Sequence, residues 1–276
     1  MSAKFPLFYP DWRAMILAAG FGTRLKPLTE QVPKPLVKVA GVPMLKLTLN
    51  RLRELKPGTL VVNGHHLSGQ IKDFLWERNS GFRRLEYIFE PAILDTGGGI
   101  LNAARFLDGP FFVTLNADIV TDISLFQAVS QHLQSRALVT MLLHERPRYN
   151  QVEVDAEGRI RGFGGGLTGS ANRLLAYTGI QICSPLLLAL MAREKVSAFS
   201  LITFYKRLLG AGRLDIRAHI VDTENCFYWR DLGTHADLAA VANDLRQDKT
   251  LARRLGLFGT KVHKRLCGKL KPLDFK

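Results

Sequence analysis

Met15-Ile16-Leu17-Ala18-Ala19 is an uninterrupted apolar run that empties directly into Gly20 and Gly22, with Arg24 and Lys34 following among Pro27, Pro33 and Pro35. Apolarity without alternation predicts a short strand buried on both faces, which requires helices on both sides of a sheet. The glycines lack a Cβ, so the backbone there can turn left-handed and bring its amide N–H groups within hydrogen-bonding distance of anionic oxygens. Arg24 adds a planar five-donor fork and Lys34 a mobile point charge, two complementary ways of neutralising a polyphosphate. The stretch reads as a phosphate-binding loop.

It is neither of the two common glycine-rich loops. A P-loop needs Gly-x-x-x-x-Gly-Lys-Ser/Thr, whereas here the second glycine comes two positions after the first and no Gly-Lys-Ser/Thr follows. A dinucleotide fingerprint needs a third glycine where this chain has Leu25. It should also open a helix, which Pro27, Pro33 and Pro35 are expected to prohibit.

Downstream, apolar periodicity alternates between strand and helix. Helices are predicted at 44–55 (with Leu45, Leu49 and Leu52 on one face), 67–77, 100–106 and 125–135; strands are predicted at 59–63, 84–89, 111–115 and 137–143. This alternation predicts an α/β fold with a doubly wound, mostly parallel, Rossmann-like sheet. The Gly20 loop, the segment 90–99 and Asn116-Ala117-Asp118 all fall at carboxyl ends of strands, where such sheets bind ligands. From residue 149 the texture changes: a hairpin at 151–163, Gly164-Gly165-Gly166, a strand at 174–182, helices at 185–193 and 200–209, strands at 216–221 and 227–231, and a helix at 235–246. The expected division is an extension over 1–13, a nucleotide-binding half over 14–147, a smaller sugar-facing α+β half over 148–247, and a basic tail over 248–276. No hexapeptide periodicity is present, so a β-helix tail is not expected.

The chain has 276 residues and a net charge of +14, and its last 28 residues carry +8 of that. The tail reads as a solvated basic end or as a contact for an acidic partner or a membrane surface. Cys183, Cys226 and Cys267 form no Cys-x-x-Cys pair, which argues against a zinc site and for a reducing compartment. The first 13 residues hold no apolar core of signal-peptide length, and no later run reaches membrane-spanning length. A cytoplasmic protein without a membrane span is expected; no nucleic-acid partner is expected, and the oligomeric state is open.

Asp118 closes a buried strand, and Asp231 closes another more than a hundred residues later. A hard cation such as magnesium is held by one or two carboxylates plus substrate phosphates, a role open to both. Asp122, just before Ile123-Ser124-Leu125, is expected to cap the next helix instead. Leu94 to Ile100 is expected to be a glycine-rich turn whose bare backbone can lie against a nucleobase. Glu90, which only accepts hydrogen bonds, suits the N–H donors of guanine or uracil or is an exposed strand-end charge. His65 and His66 are expected to be structural.

The stretch Leu-Ala-Ala-Gly-x-Gly-Thr-Arg-Leu-x-Pro-Leu-Thr, with Pro-Lys-Pro-Leu-Val after it, resembles the signature of the sugar-1-phosphate nucleotidyltransferases, also called nucleotide-sugar pyrophosphorylases. Trp229-Arg230-Asp231-Leu232-Gly233-Thr234 resembles that family's second metal-binding segment, and Tyr177-Thr178-Gly179-Ile180 its sugar-contact strand. The wording of Asp95 to Ile100 is similar to that of uridylyl- and guanylyltransferases acting on N-acetylmuramate or mannose 1-phosphates. The resemblance implies a nucleoside triphosphate held by Leu17, Ala18, Ala19, Gly20, Gly22, Thr23, Glu90, Thr96 and Gly97. It implies a sugar 1-phosphate near Asn116, Thr178 and Gly179, Mg2+ on Asp118 and Asp231, and catalytic charge neutralisation by Arg24 and Lys34. Two departures touch the sugar side: Gly164-Gly165-Gly166 replaces the usual Glu-Lys-Pro, and Tyr149-Asn150 replaces Tyr-Gly. A glycosyltransferase consuming nucleotide sugars, and a non-catalytic nucleotide-binding regulatory relative, are the alternative readings.

Overall fold

The computed structural model describes residues 11–77, 81–166, 169–213, 215–221 and 227–257. Most of the proposed N-terminal extension, the tail beyond residue 257, Cys226 and Cys267 lie outside the described residues. The strands are β1 (Arg13–Leu17), β2 (Lys38–Val39), β3 (Val42–Pro43), β4 (Thr59–Gly64), β5 (Leu85–Phe89), β6 (Phe112–Asn116), β7 (Ile119–Thr121), β8 (Val139–His144), β9 (Asn150–Val154), β10 (Ile160–Phe163), β11 (Arg173–Cys183), β12 (Ile216–Ile220) and β13 (Trp229–Asp231). The helices are α1 (Leu28–Gln31), α2 (Met44–Leu55), α3 (Ser68–Glu77), α4 (Asp95–Asn102), α5 (Ala104–Leu107), α6 (Phe126–Ser135), α7 (Leu186–Met191), α8 (Leu201–Gly210), α9 (His235–Gln247) and α10 (Leu251–Arg254).

Nine strands form one mixed sheet in the order β10-β9-β11-β6-β1-β4-β5, with β8 pairing β11 and β12. β6, β1, β4 and β5 are mutually parallel, and β11 is the long antiparallel strand that joins them to β8. Strands from both sides of residue 147 therefore share one sheet. Alternate residues of β1 serve opposite faces: Ala14 and Ile16 pack with α2 and α3 through Leu45, Leu49, Leu52 and Ile71, while Met15 packs with Ile100, Phe112 and Phe204. The apolar run thus supplies two cores, as a strand buried on both faces must.

A third core explains how the end of the chain reaches the glycine loop. Leu25, Val37 and Val39 pack with Val120, Leu232, Val241, Leu245 and Leu251, so α9 and α10 close over the signature loop. Within that loop the prolines do not prohibit helical turns. A four-residue α1 begins directly after Pro27, and a 3-10 turn over Lys34–Leu36 follows Pro33. Each turn is too short to need the backbone N–H groups that proline lacks. Among the described residues, no helix is long and apolar enough to cross a membrane.

Candidate active site

The carboxyl ends of β1, β4 and β6 are tied to each other before any ligand enters. Asn63, near the end of β4, accepts the Ala18 N–H at 2.8 Å, and the Ala117 N–H donates to the Leu17 carbonyl at 3.0 Å. Gly22 has φ +66°, and a Cβ there would lie 2.8 Å from Lys34 Cβ and 2.9 Å from Thr29 Cγ2. Glycine is needed both for the left-handed turn and for the stem of Lys34 to pass. The Thr29 hydroxyl completes the turn by donating to the Gly22 carbonyl at 2.9 Å.

These strand ends enclose a cleft of about 500 Å³. Of the residues singled out from the sequence, Leu17, Ala18, Ala19, Gly20, Gly22, Lys34, Glu90, Thr96, Asn116 and Asp118 line it. Phe21, Pro35, Asn63, Ile93, Asp95 and Ala117 complete the wall; Phe21, Ile93, Asp95 and Ala117 lie in the three segments expected to converge there, and Asn63 was not anticipated.

Two carboxylates and two cations gather beside the cleft. β7 and β13 pair antiparallel, with Asp231 opposite Ile119, and the Leu232 N–H donates to the Asp118 carbonyl at 2.9 Å. This ladder closes the gap of more than a hundred residues between Asp118 and Asp231. Lys34 Nζ donates directly to Asp118 Oδ2. The Arg24 guanidinium lies on Gly233, where a Cβ would stand 2.7 Å from Nη2 and 2.9 Å from Cζ. Burial pushes the Asp231 carboxyl above the usual range, the Asp118 charge adds to this, and Lys34 and Arg24 oppose it.

The donor set at this end of the cleft fits a hard divalent cation. Asp231 Oδ1 is buried without a hydrogen-bond partner, a costly state that a cation would relieve. Among the described residues no third His, Cys, Asp or Glu joins a metal-binding cluster. Two carboxylates, with the remaining positions left to substrate oxygens and water, are a donor set that suits Mg2+.

Glu90 is fully buried, not an exposed strand-end charge. Its Oε1 accepts from Asn63 Nδ2 at 2.7 Å and its Oε2 from the Leu94 N–H at 3.3 Å. The chain of bonds from Glu90 through Asn63 to Ala18 fixes the cleft floor. His65 Nδ1 bonds the Glu90 carbonyl and His66 Nε2 the Thr29 carbonyl, each at 2.8 Å.

A family model described as nucleotidyl transferase matches residues 13–248, which takes in the glycine loop, the cleft and both aspartates. The chain belongs to the nucleotidyl transferase family. An N-acetylmuramate alpha-1-phosphate uridylyltransferase of Neisseria meningitidis is 39% identical over 142 residues, covering 50% of this chain and 61% of the relative. The chain spans 43% of a UTP–glucose-1-phosphate uridylyltransferase of Synechocystis, at 31% identity over 55% of its own length. An N-acetylmuramate alpha-1-phosphate uridylyltransferase of Caulobacter vibrioides is 33% identical over 73% of this chain and 86% of the relative. The crystal structure of HddC from Yersinia pseudotuberculosis complexed with GMP-PN superposes with a TM-score of 0.70 at 21% identity, covering 85% of this chain and 99% of that one. At that identity the likeness speaks for the fold alone.

In this member of the nucleotidyl transferase family, four features singled out from the sequence are engaged in packing or structural hydrogen bonds. Gly97, Gly98 and Gly99 lie inside α4 and are buried. A Cβ on Gly97 would sit 2.3 Å from the Phe199 ring, so this glycine serves helix packing and does not lie bare against a base. Thr178 is buried, its hydroxyl donates to the Leu142 carbonyl at 2.8 Å, and it does not line the cleft. Gly179 is a buried bulge residue with φ +80°, whose missing Cβ makes room for Ile119 and Asn116. Asp122 does not cap α6; its Oδ1 accepts the Tyr228 N–H at 2.6 Å and its Oδ2 pairs with Arg254 at 3.0 Å, anchoring β13 and α10. Arg24, Thr23 and Asp231 stand outside the cleft wall proper, with Arg24 and Asp231 at its Asp118 end.

Proposed function

We propose that the chain transfers a nucleoside monophosphate from a nucleoside triphosphate to a sugar 1-phosphate, with Mg2+ as its cofactor. The observation that carries this reading is the meeting of Lys34, Arg24, Asp118 and Asp231 at the end of a glycine-walled cleft. An oxygen of the sugar 1-phosphate attacks the α-phosphorus, the new P–O bond forms in line, and the bond to the bridging oxygen breaks, sending its electron pair to pyrophosphate. The nucleophile is already an anion, so no strong base is required. Alignment and charge neutralisation carry the reaction, and alignment alone is worth about 7–11 kcal/mol.

Arg24 and the amides of Gly20 to Thr23 are assigned to the leaving phosphates, and Lys34 to the α-phosphate or the sugar phosphate. Asn116, whose amide stands at the cleft end of β6, is assigned to the sugar side. Asp118 and Asp231 would hold Mg2+, which when bound neutralises charge on the phosphate oxygens. Glu90 and Asn63 keep the cleft floor rigid where the base is expected to lie.

UTP and GTP are the first nucleotides to try, since the wording of residues 95–100 pointed to both and relatives are named for uridylyl transfer. Pyrophosphate release should be measured with Mg2+ for UTP, GTP, dTTP and CTP against a panel of sugar 1-phosphates that includes N-acetylmuramate and mannose. Release that requires both one triphosphate and one sugar phosphate is the expected result. Nucleotide binding with no release across the panel would overturn the transferase reading in favour of a regulatory one.

A further inference from the structure

We propose that Phe21 is a stacking surface for the nucleobase, a role that rests on the nucleotide reading above. Phe21 separates the two glycines of the phosphate loop, yet the residue is 47% exposed and lines the cleft. Leaving an aromatic ring half open to water forgoes stabilisation that burial would provide. Ile93, 38% exposed, lines the same cleft. Both present apolar surface to a cleft whose wall also carries Lys34 and Asp118.

The ring is also held in place. It meets the His65 imidazole with centroids 5.1 Å apart at 86°, and His66 at 6.1 Å and 50°. A near-perpendicular contact covers at most one face of the phenyl ring. Both imidazoles are themselves fixed, His65 on the Glu90 carbonyl and His66 on the Thr29 carbonyl. Through His66 the ring is tied to Thr29, and through His65 to the Glu90 end of the cleft. A braced, half-exposed aromatic ring in the cleft wall is suited to a flat heterocycle, and one stacked base typically changes affinity by roughly 5- to 150-fold on truncation to alanine.

The test compares equilibrium binding of UTP, GTP and inorganic tripolyphosphate to the wild-type chain and to Phe21→Ala, Phe21→Leu and Phe21→Trp. Stacking predicts that Phe21→Ala and Phe21→Leu bind the better nucleotide roughly 5- to 150-fold more weakly. Tripolyphosphate, which has no base, should bind all four proteins within about twofold, and Phe21→Trp should recover nucleotide affinity. An equal loss for nucleotide and tripolyphosphate would show that Phe21 only shapes the phosphate loop, and no loss for either would show that the ring touches neither; both overturn the proposal. If the wild-type chain binds tripolyphosphate but neither nucleotide, the nucleotide reading itself falls, and the stacking role with it.

Discussion

Lys34 donates through Nζ to the Asp118 carboxylate, so a cation assigned to phosphate sits on a carboxylate assigned to metal. The pair occupies one oxygen of the carboxylate and one N–H of the ammonium, so each group offers less to metal or substrate while it is intact. On the proposed reading, a bound triphosphate would give the lysine a second acceptor and release the carboxylate.

Lys34→Met is therefore expected to do two opposite things. Turnover should fall by about a hundredfold or more, as when a single electrostatic contact to the transition state is removed. Binding of Mn2+ in the absence of nucleotide, followed by electron paramagnetic resonance, should become tighter because Asp118 no longer has a resident cation. Metal binding no tighter than wild type would show that the pair does not hold the metal back.

Asp231→Asn separates function from stability. Burial and the Asp118 charge raise the Asp231 carboxyl above its unfolded value. A group with a raised folded pKa binds more protons in the native state, so its favourable contribution is present at low pH and is lost as pH rises through the folded value. Once ionised, Asp231 thus carries a cost in stability that a neutral amide does not. Asp231→Asn should melt at the same temperature as wild type or higher, while pyrophosphate release falls by about a hundredfold or more. A clearly lowered melting temperature would mean that the carboxylate is a structural anchor.

The parts of the fold set by local pattern were legible in the sequence. The apolar run before Gly20 predicted a doubly covered strand, and Leu45, Leu49 and Leu52 predicted the buried face of α2. The β7–β13 ladder was not legible, because each strand is three residues long and the pairing spans more than a hundred positions. Asn63 was missed because a lone asparagine at a strand end carries no signal until its two neighbours, Ala18 and Glu90, are seen around it. Gly97 to Gly99 were read as a loop because glycine disfavours helices. What overrides that preference is the closeness of Phe199 and Ser197, which leaves no room for side chains.

Two glycines should respond to alanine in contrasting ways. At Gly97 the new Cβ would meet the Phe199 ring at 2.3 Å and the Phe199 carbonyl at 2.8 Å, so backbone or a packed ring must move. Gly97→Ala should destabilise the protein by about 1–3 kcal/mol in urea unfolding. At Gly233 the obstruction is the far end of Arg24, which can swing away. Gly233→Ala should leave stability within about 0.5 kcal/mol of wild type while lowering turnover by about tenfold through the displaced guanidinium. The reverse pattern would place Arg24 among the structural groups.

His132 gives the protein an acid-sensitive core away from the cleft. It is buried on α6, its Nδ1 bonds the Thr140 hydroxyl at 2.9 Å, and burial pushes its imidazole down to about 4. An unfolded histidine titrates near 6.5, so between these values the unfolded chain binds the extra proton. The contribution is whole above about pH 6.5 and is lost as pH falls toward 4, by up to about 3 kcal/mol. His132→Asn keeps a polar group beside Thr140 but does not titrate. Its unfolding free energy should change less than that of wild type between pH 7 and pH 4.5, whatever its absolute stability. Parallel pH profiles for the two proteins would mean that the imidazole titrates in the folded core as it does in the unfolded chain.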